Sequence, residues 1–342
     1  EMCIRDRGEG TLRYASFESP QINTRLRLNQ FDPALLALAG PEAAAADTGG
    51  EETQGSGDEP LPLDAIRLID TLADLQIARA VLDAHTINNM HIRLRAVDGV
   101  IRVPVLTGDL HGGQLQTKAV FNGKHNTAKL NVTGGLNGLD IATALAAMES
   151  EPLLTGAASL DWKLASKGRT VNELVAALKG PVTLSTDQVV LKGMGVEKML
   201  CQAVALVNQD MLSNDFPVDT RFQTLGAKLK LQQGKVHLQP LNGDLDHIRL
   251  TGTGALDLLS QDFKATFKAR LSPELETMDP ACEVSSRLTA IDWPVKCKGN
   301  VSGDPAKWCG VDTEDIIADL TRNEAKRKVE KEAGKLLDKL FK

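Results

Sequence analysis

Two thirteen-residue stretches of this chain line up without a gap: residues 98–110 read DGVIRVPVLTGDL and residues 233–245 read QGKVHLQPLNGDL, 135 positions apart. Both copies have the pattern of a β-hairpin. Ahead of the first, Ile92, Leu94 and Ala96 alternate with Arg93, Arg95 and Val97. Ahead of the second, Ala227, Leu229 and Leu231 alternate with Lys228, Lys230 and Gln232. A period of two sends alternate side chains to opposite faces of a strand, so each strand has one apolar face and one mostly basic face. Asp98-Gly99 and Gln233-Gly234 then fall where a two-residue turn belongs, since Gly tolerates positive φ. The return strands place Ile101, Val103 and Val105 in register with Val236, Leu238 and Pro240. Each copy closes on Gly-Asp-Leu (Gly108, Asp109, Leu110; Gly243, Asp244, Leu245), where glycine lets the chain bend into a further strand.

Further strands of the same one-sided kind follow. GGQLQTKAVFNG alternates Leu115, Thr117, Ala119 and Phe121, and HIRLTGTGAL alternates Ile248, Leu250, Gly252 and Gly254. In DFKATFKARL, Phe263, Ala265, Phe267, Ala269 and Leu271 face one way while Lys264, Thr266, Lys268 and Arg270 face the other. Helical patterns are few. NGLDIATALAAM has Asp140 as an N-cap, GRTVNELVAALKG has a capping box of Thr170 and Glu173 with a closing Gly180, and GVEKMLCQAVALVNQ makes a third. The expected fold is therefore mainly β, a long curled antiparallel sheet (a groove-like meander) with short capping helices and a charged C-terminal helix. Roughly a dozen strands and only two or three sizeable helices are expected. An oily sheet face has to be buried: it closes on itself as a sandwich or barrel, or it curls into an open trough, and an open trough marks a ligand or membrane site.

Residues 1–7, EMCIRDR, read as non-native and adapter-like, and residues 8–41 as a strand and turn continuing from a missing N-terminal part. Residues 42–60 form an Ala-, Gly-, Glu- and Thr-rich linker that cannot build a core. Residues 61–310 form the β domain, with repeated hairpin units at 92–123 and 227–256. Residues 311–342 form a charged amphipathic tail, either a membrane-surface helix or a solvated helix packed in part on the sheet. A net charge of −6 and 4% aromatic residues argue against nucleic acid as a partner. No apolar run is long enough to span a membrane. With Cys3 set aside, Cys201, Cys282, Cys297 and Cys309 remain, and four cysteines allow three pairings. Disulfides formed in an oxidising compartment and plain buried thiols are both open.

No catalytic constellation emerges. His85, His91, His111, His125, His237 and His247 are scattered, and no Cys-x-x-Cys or His-x-x-x-His pair exists, so no metal site is expected. Gly193-Met-Gly195 lacks the third glycine of a dinucleotide loop, Gly123-Lys124 lacks the upstream glycine of a phosphate loop, and no Gly-x-Ser-x-Gly elbow is present. No cofactor is expected, and the chain reads as a non-enzyme. Asp109 and Asp244, at equivalent strand ends, are expected to make turn hydrogen bonds rather than a catalytic pair.

The strand–Asp-Gly–strand unit ending in Gly-Asp-Leu-x-Gly-Gly resembles the AsmA family. So do LDWKLASKGRTVNELVAALKGPVTLSTDQVVLKGMGVEKML (Leu160 to Leu200) and IDWPVKCKGNVSGDPAKWCGVD with its charged tail. The resemblance implies a bacterial periplasmic protein, anchored to the inner membrane in its full-length form and involved in outer-membrane assembly. Larger relatives, the TamB-like proteins, look like bridges that carry phospholipid along a β-groove. On that reading phospholipid acyl chains lie on the apolar strand faces, with Leu115, Phe121, Leu130, Val132, Ile248, Leu250, Phe263, Phe267 and Leu271 as candidate lining residues. The alternative is a scaffold that binds outer-membrane proteins or assembly factors through exposed strand edges.

Overall fold

The computed structural model describes residues 8–15, 21–32, 59–68, 70–82, 84–147, 152–258, 260–313, 316 and 320–322. Residues 1–7, nearly all of residues 42–60 and most of residues 311–342, for which the sequence predicts an adapter-like start, a linker and a charged helical tail, lie outside the described residues.

Among the described residues the fold is mainly β: fifteen strands belong to one hydrogen-bonded sheet, and their order in it is the order of the sequence. The strands are β1 (Gly8–Ala15), β2 (Gln21–Phe31), β3 (Asp70–Leu82), β4 (His85–Val97), β5 (Val100–Leu110), β6 (Gly113–Asn122), β7 (Ala128–Asp140), β8 (Leu154–Gly168), β9 (Gly180–Leu191), β10 (Thr220–Gln232), β11 (Lys235–Asp244), β12 (Ile248–Asp257), β13 (Asp262–Leu271), β14 (Trp293–Asn300) and β15 (Cys309–Val311). One pairing departs from an antiparallel meander: β2 and β3 are parallel, Gln21 opposite Asp70 and Phe31 opposite Ala80. Parallel neighbours need a crossover of a dozen or more residues. The stretch between Phe31 and Asp70 supplies it.

Both expected hairpin turns form. Asp98 and Gly99 have φ of 49° and 69°, and Gln233 and Gly234 have 52° and 70°. Two positive φ values in succession are the turn whose twist matches the flanking strands. The repeat extends to side chains. Asn89 Nδ2 donates to Asp109 Oδ2 at 2.7 Å, and Thr224 Oγ1 donates to Asp244 Oδ2 at 2.9 Å. These are bonds to the preceding strand of each hairpin rather than the turn bonds expected from sequence.

Among the described residues the α-helices are short: α1 (Leu63–Leu68), α2 (Ile141–Ala147), α3 (Val171–Ala176) and α4 (Val196–Asn208). Asp140 caps α2 through Thr143 N at 2.7 Å. Thr170 caps α3 through Glu173 N at 3.1 Å, while Glu173 Oε2 reaches back to Arg169 N at 2.8 Å. Gly180 does not close α3, which ends at Ala176 with Ala177 as its cap. It opens β9 with φ of 142°, and a Cβ there would lie 2.1 Å from Lys163 O on β8.

The chain divides into two compact units. The first holds β1 to β7, nearly all of β8, β9 up to Thr186 and the turn segment Lys228–Val236. The second holds Asp187–Ala227 and the chain from His237 onward. In the first unit the sheet supplies its own core. Ile77, Ala80, Ile87 and Met90 are buried, with Leu28, Phe31, Ile92, Leu106, Leu110 and Leu115 packed against them. All of these residues come from β2–β6. Register shifts at Asn88/His91 and Arg93/Arg95 on β4 and at Val103/Leu106 on β5 bend those strands, which brings residues of one face together.

The second unit is capped. Ile248, Leu250, Ala269, Leu271, Trp293 and Val295 share one face of β12–β14 and are all buried. The buried residues Leu200, Cys201 and Val204 of α4, with Leu275, Cys282, Val284, Leu288 and Ile291 from the segment between β13 and β14, provide the cover. Cys201 is bonded to Cys282, with Cα atoms 5.0 Å apart, which ties α4 to that segment. Asp279, fully buried, accepts from Ser213 N, Asn214 N and Ala281 N at 2.6–2.9 Å. Trp293 Nε1 donates to Leu288 O at 3.1 Å. A second disulfide joins Cys297 on β14 to Cys309 on β15.

Candidate functional site

A half-buried apolar surface lies on the face shared by β5–β8 in the first unit. Antiparallel register sets Phe121 opposite Leu130, Ala119 opposite Val132 and Leu115 opposite Leu136. Val103 lies opposite Ala119 and Leu164 opposite Val132, so the row Val103–Ala119–Val132–Leu164 crosses four strands. Every member of that row is half-buried, as are Phe121, Leu130 and Trp162. Their neighbours on each strand, among them Arg102, Lys118, Lys129 and Lys163, are exposed on the opposite face. The result is an aliphatic surface backed by a basic one.

The nine candidate lining residues separate by unit. Leu115, Phe121, Leu130 and Val132 are half-buried in the first, Leu115 packing against the buried Ile77, Ala80, Ile87 and Met90. In the second, Ile248, Leu250 and Leu271 are only 2%, 6% and 4% exposed, because α4 and the 273–292 segment lie over their face. These three are packed core and are not carried into a ligand surface. Phe263 is half-buried with its ring edge-to-face against Trp308, centroids 5.2 Å apart. Phe267 lies over the bare backbone of Gly252, where a Cβ would meet its ring. Both phenyl groups therefore have protein partners.

The polar groups serve the fold. His85 Nδ1 and His111 Nε2 are 2.9 Å apart where β4 begins and β5 ends, and burial with the His85 charge pulls the His111 imidazole below its ordinary value. His91 bonds Asp74 at 2.9 Å and holds that carboxyl below the usual carboxylate range. Glu197, at the start of α4, receives Thr220 Oγ1 at 3.1 Å, and burial pushes its carboxyl up. Among the described residues no three His, Cys, Asp or Glu side chains converge as metal ligands, and no helix is long and apolar enough to cross a membrane.

The model of the AsmA family matches residues 18–268 of this chain. The chain belongs to the AsmA family. Protein AsmA of Escherichia coli (strain K12) is 22% identical over 265 residues, covering 74% of this chain and 43% of that protein, so this AsmA-family chain spans less than half the length of its curated relative. No solved structure matches it.

Sequence reasoning overlooked the part of the apolar face contributed by β8. Leu160, Trp162 and Leu164 alternate with Asp161, Lys163 and Ala165 and continue the rows begun by Leu136 and Val132. The alternation is legible in LDWKLA, the stretch that also carries the family resemblance. The cover over β12–β14 had a signal too, in the apolar face of GVEKMLCQAVALVNQ, but nothing in the pattern said which strands that face would meet.

Proposed function

We propose that this chain is a non-enzymatic, lipid-handling AsmA-family protein of the bacterial periplasm, held at the inner membrane in its full-length form and acting in outer-membrane biogenesis. Phospholipid acyl chains would lie against the half-buried rows of β5–β8 while headgroups remain in water. Each CH₂ removed from water there contributes about 0.8 kcal/mol, so capture and release need no covalent step. The observation that carries this reading is the contiguous row Val103–Ala119–Val132–Leu164, flanked by Phe121 and Leu130, which the described protein leaves half-exposed. Two disulfides within the chain favour an oxidising compartment. The test is native mass spectrometry of the chain purified from an oxidising compartment. Co-purifying phospholipid, lost in Leu130→Glu and Val132→Glu variants that keep their circular dichroism, supports the reading. Lipid-free protein sinks it.

A scaffold role is the second reading, and β1 favours it. Among the described residues this strand ends the sheet order and pairs with β2, and its Leu12 and Tyr14 are 67% and 46% exposed. Such an edge can accept a strand from an outer-membrane protein or assembly factor. Crosslinking from position 12 or 14 that captures a protein strand, in a preparation free of lipid, selects this reading.

A further inference from the structure

We propose that a cleft on the polar face of β12–β15 is a phosphate-binding site, which would take the phosphate groups of lipid headgroups or of free phosphate esters. It lies on the face opposite the buried apolar residues of the second unit and does not depend on acyl-chain binding by the first.

Its position follows from register, since residues directly opposite one another on antiparallel strands share a face. Ala255 is opposite Lys264, and Lys264 is opposite Lys298. One step along, Thr253 is opposite Thr266, Thr266 opposite Lys296 and Lys296 opposite Gly310. Both rows border an open cleft of about 1230 Å³, which Lys307 also lines. A Cβ built on Gly310 would meet nothing within 4 Å, so the cleft is unobstructed above β15.

Four lysines and one aspartate, Asp312, line this cleft in a chain whose net charge is −6, so the patch is not a reflection of overall composition. Lys296 is paired with Asp312 at 2.7 Å, and Lys307 with Asp304 at 3.3 Å. Lys264 and Lys298 stand directly opposite each other, and among the described residues neither side chain has an ion-pair or hydrogen-bond partner. Elsewhere on the same face the cations are matched: Lys268 and Arg270 share Asp292 at 3.4 and 2.9 Å, and Arg249 meets Asp244 at 3.0 Å. Like charges directly opposed weaken a sheet. A shared anion removes that cost.

The chemistry points to phosphate. Two ammonium groups from directly opposed residues converge on one group better than on separated charges. A phosphate ester offers nearly two negative charges and three acceptor oxygens on one centre. Lysine binds it as a point charge, and the hydroxyls of Thr253 and Thr266 on the adjoining row can donate to the oxygens that remain.

The test titrates the full chain, its lysine side chains isotopically labelled, with pyrophosphate, with phosphatidylcholine vesicles containing phosphatidic acid, and with succinate. Shifts of the Lys264 and Lys298 signals on pyrophosphate, on the vesicles or on both support the site. Response to pyrophosphate alone assigns it to soluble phosphate esters, and response to vesicles alone assigns it to headgroups. The double variant Lys264→Gln, Lys298→Gln should bind about tenfold or more weaker, with its melting temperature unchanged or raised because two opposed charges are gone. Val132→Glu, which tests the acyl-chain face, should leave pyrophosphate binding intact. Absence of response to both phosphate probes, an undiminished affinity in the lysine variant, or equal binding of succinate would overturn the proposal.

Discussion

The hairpin is written twice, and the strands that follow its two copies finish their apolar face differently in the two units; the turn of the second copy falls within the first unit. Both copies have a positive-φ pair at the turn and an Asp at the far end bonded to the preceding strand. In the first unit, the strands that follow leave Leu130 and Val132 half-buried. In the second, Ile248 and Leu250 are sealed beneath α4 and the 273–292 segment. The difference lies in what the sequence places between strands, not in the strands. A one-sided strand specifies a face that needs cover but not its source. The second unit provides a stapled helix, whereas the first provides curvature, α1 with one buried residue (Leu63), and α2 and α3, in which no residue is buried.

Breaking the staple should blur this contrast most. The Cys201–Cys282 bond spans 81 residues and the Cys297–Cys309 bond spans 12. Loop-closure entropy makes the first worth about 4–5 kcal/mol and the second about 3 kcal/mol. The double variant Cys201→Ser, Cys282→Ser should therefore lower the melting temperature of the second unit more than Cys297→Ser, Cys309→Ser does. It should also open residues 273–292 to limited proteolysis while the first unit stays resistant. Equal melting temperatures for the wild type and the first double variant would mean that packing alone holds the cover.

Truncation of single apolar side chains reads the same contrast locally. Ile248→Ala removes methylenes from a sealed core and should cost about 2–5 kcal/mol. Leu130→Ala and Val132→Ala, on a half-buried face, should cost only about 1 kcal/mol. Chemical denaturation of each variant measures the difference. If the first-unit substitutions cost as much as Ile248→Ala, that face is packed core and the acyl-chain reading loses its basis.

Much of this architecture was legible because strands announce themselves locally. Alternation in DFKATFKARL places Phe263 and Lys264 on opposite faces whatever the rest of the chain does, and Asp98-Gly99 and Gln233-Gly234 set their own turns. The parallel β2–β3 pair was not legible. Register between strands joined by a long connection depends on which edge the returning strand finds, and neither partner's side chains encode that choice. Nor was the pairing of cysteines: Cys297 and Cys309 meet because β14 and β15 are neighbours in register, while Cys201 reaches Cys282 only once α4 lies over the sheet. The lysine cleft shows the same limit. Lys264 is visibly on the polar face of its strand, but its confrontation with Lys298 depends on pairing between residues 34 positions apart.

Titration should separate the units further through Glu197 on α4. Burial holds its carboxyl above the ordinary 4.5, so the folded state binds the proton more tightly than the unfolded chain does. The stability this contributes is fully present below pH 4.5 and is lost as the pH rises through the elevated value. Glu197→Gln should remove that decline, giving the second unit a flatter stability profile on the alkaline side of pH 4.5 while the first unit's profile is unchanged. Urea unfolding across this range, followed by tryptophan fluorescence of Trp293 for the second unit and Trp162 for the first, is the measurement. A Gln variant that declines as steeply as the wild type would show that Glu197 is not the group responsible.

The smallest expected effect compares the two aspartates of the repeat. Asp109→Ala and Asp244→Ala each delete one bond to the preceding strand, from Asn89 and from Thr224, worth about 1 kcal/mol. Asp244 has a further partner, Arg249 Nε at 3.0 Å, and that guanidinium with Thr224 holds its carboxyl below the ordinary 3.8. A depressed carboxyl contributes stability above its unfolded value, and the contribution is lost as the pH falls through the lower folded one. Because the Asp244 side chain is 42% exposed, solvent screens most of this gain. Asp244→Asn should therefore cost a few tenths of a kcal/mol at neutral pH and nothing at pH 2. Equal losses at both values would show that the second hairpin, like the first, is held by its strand-to-strand bond alone, and that the ion pair adds nothing to the repeated unit.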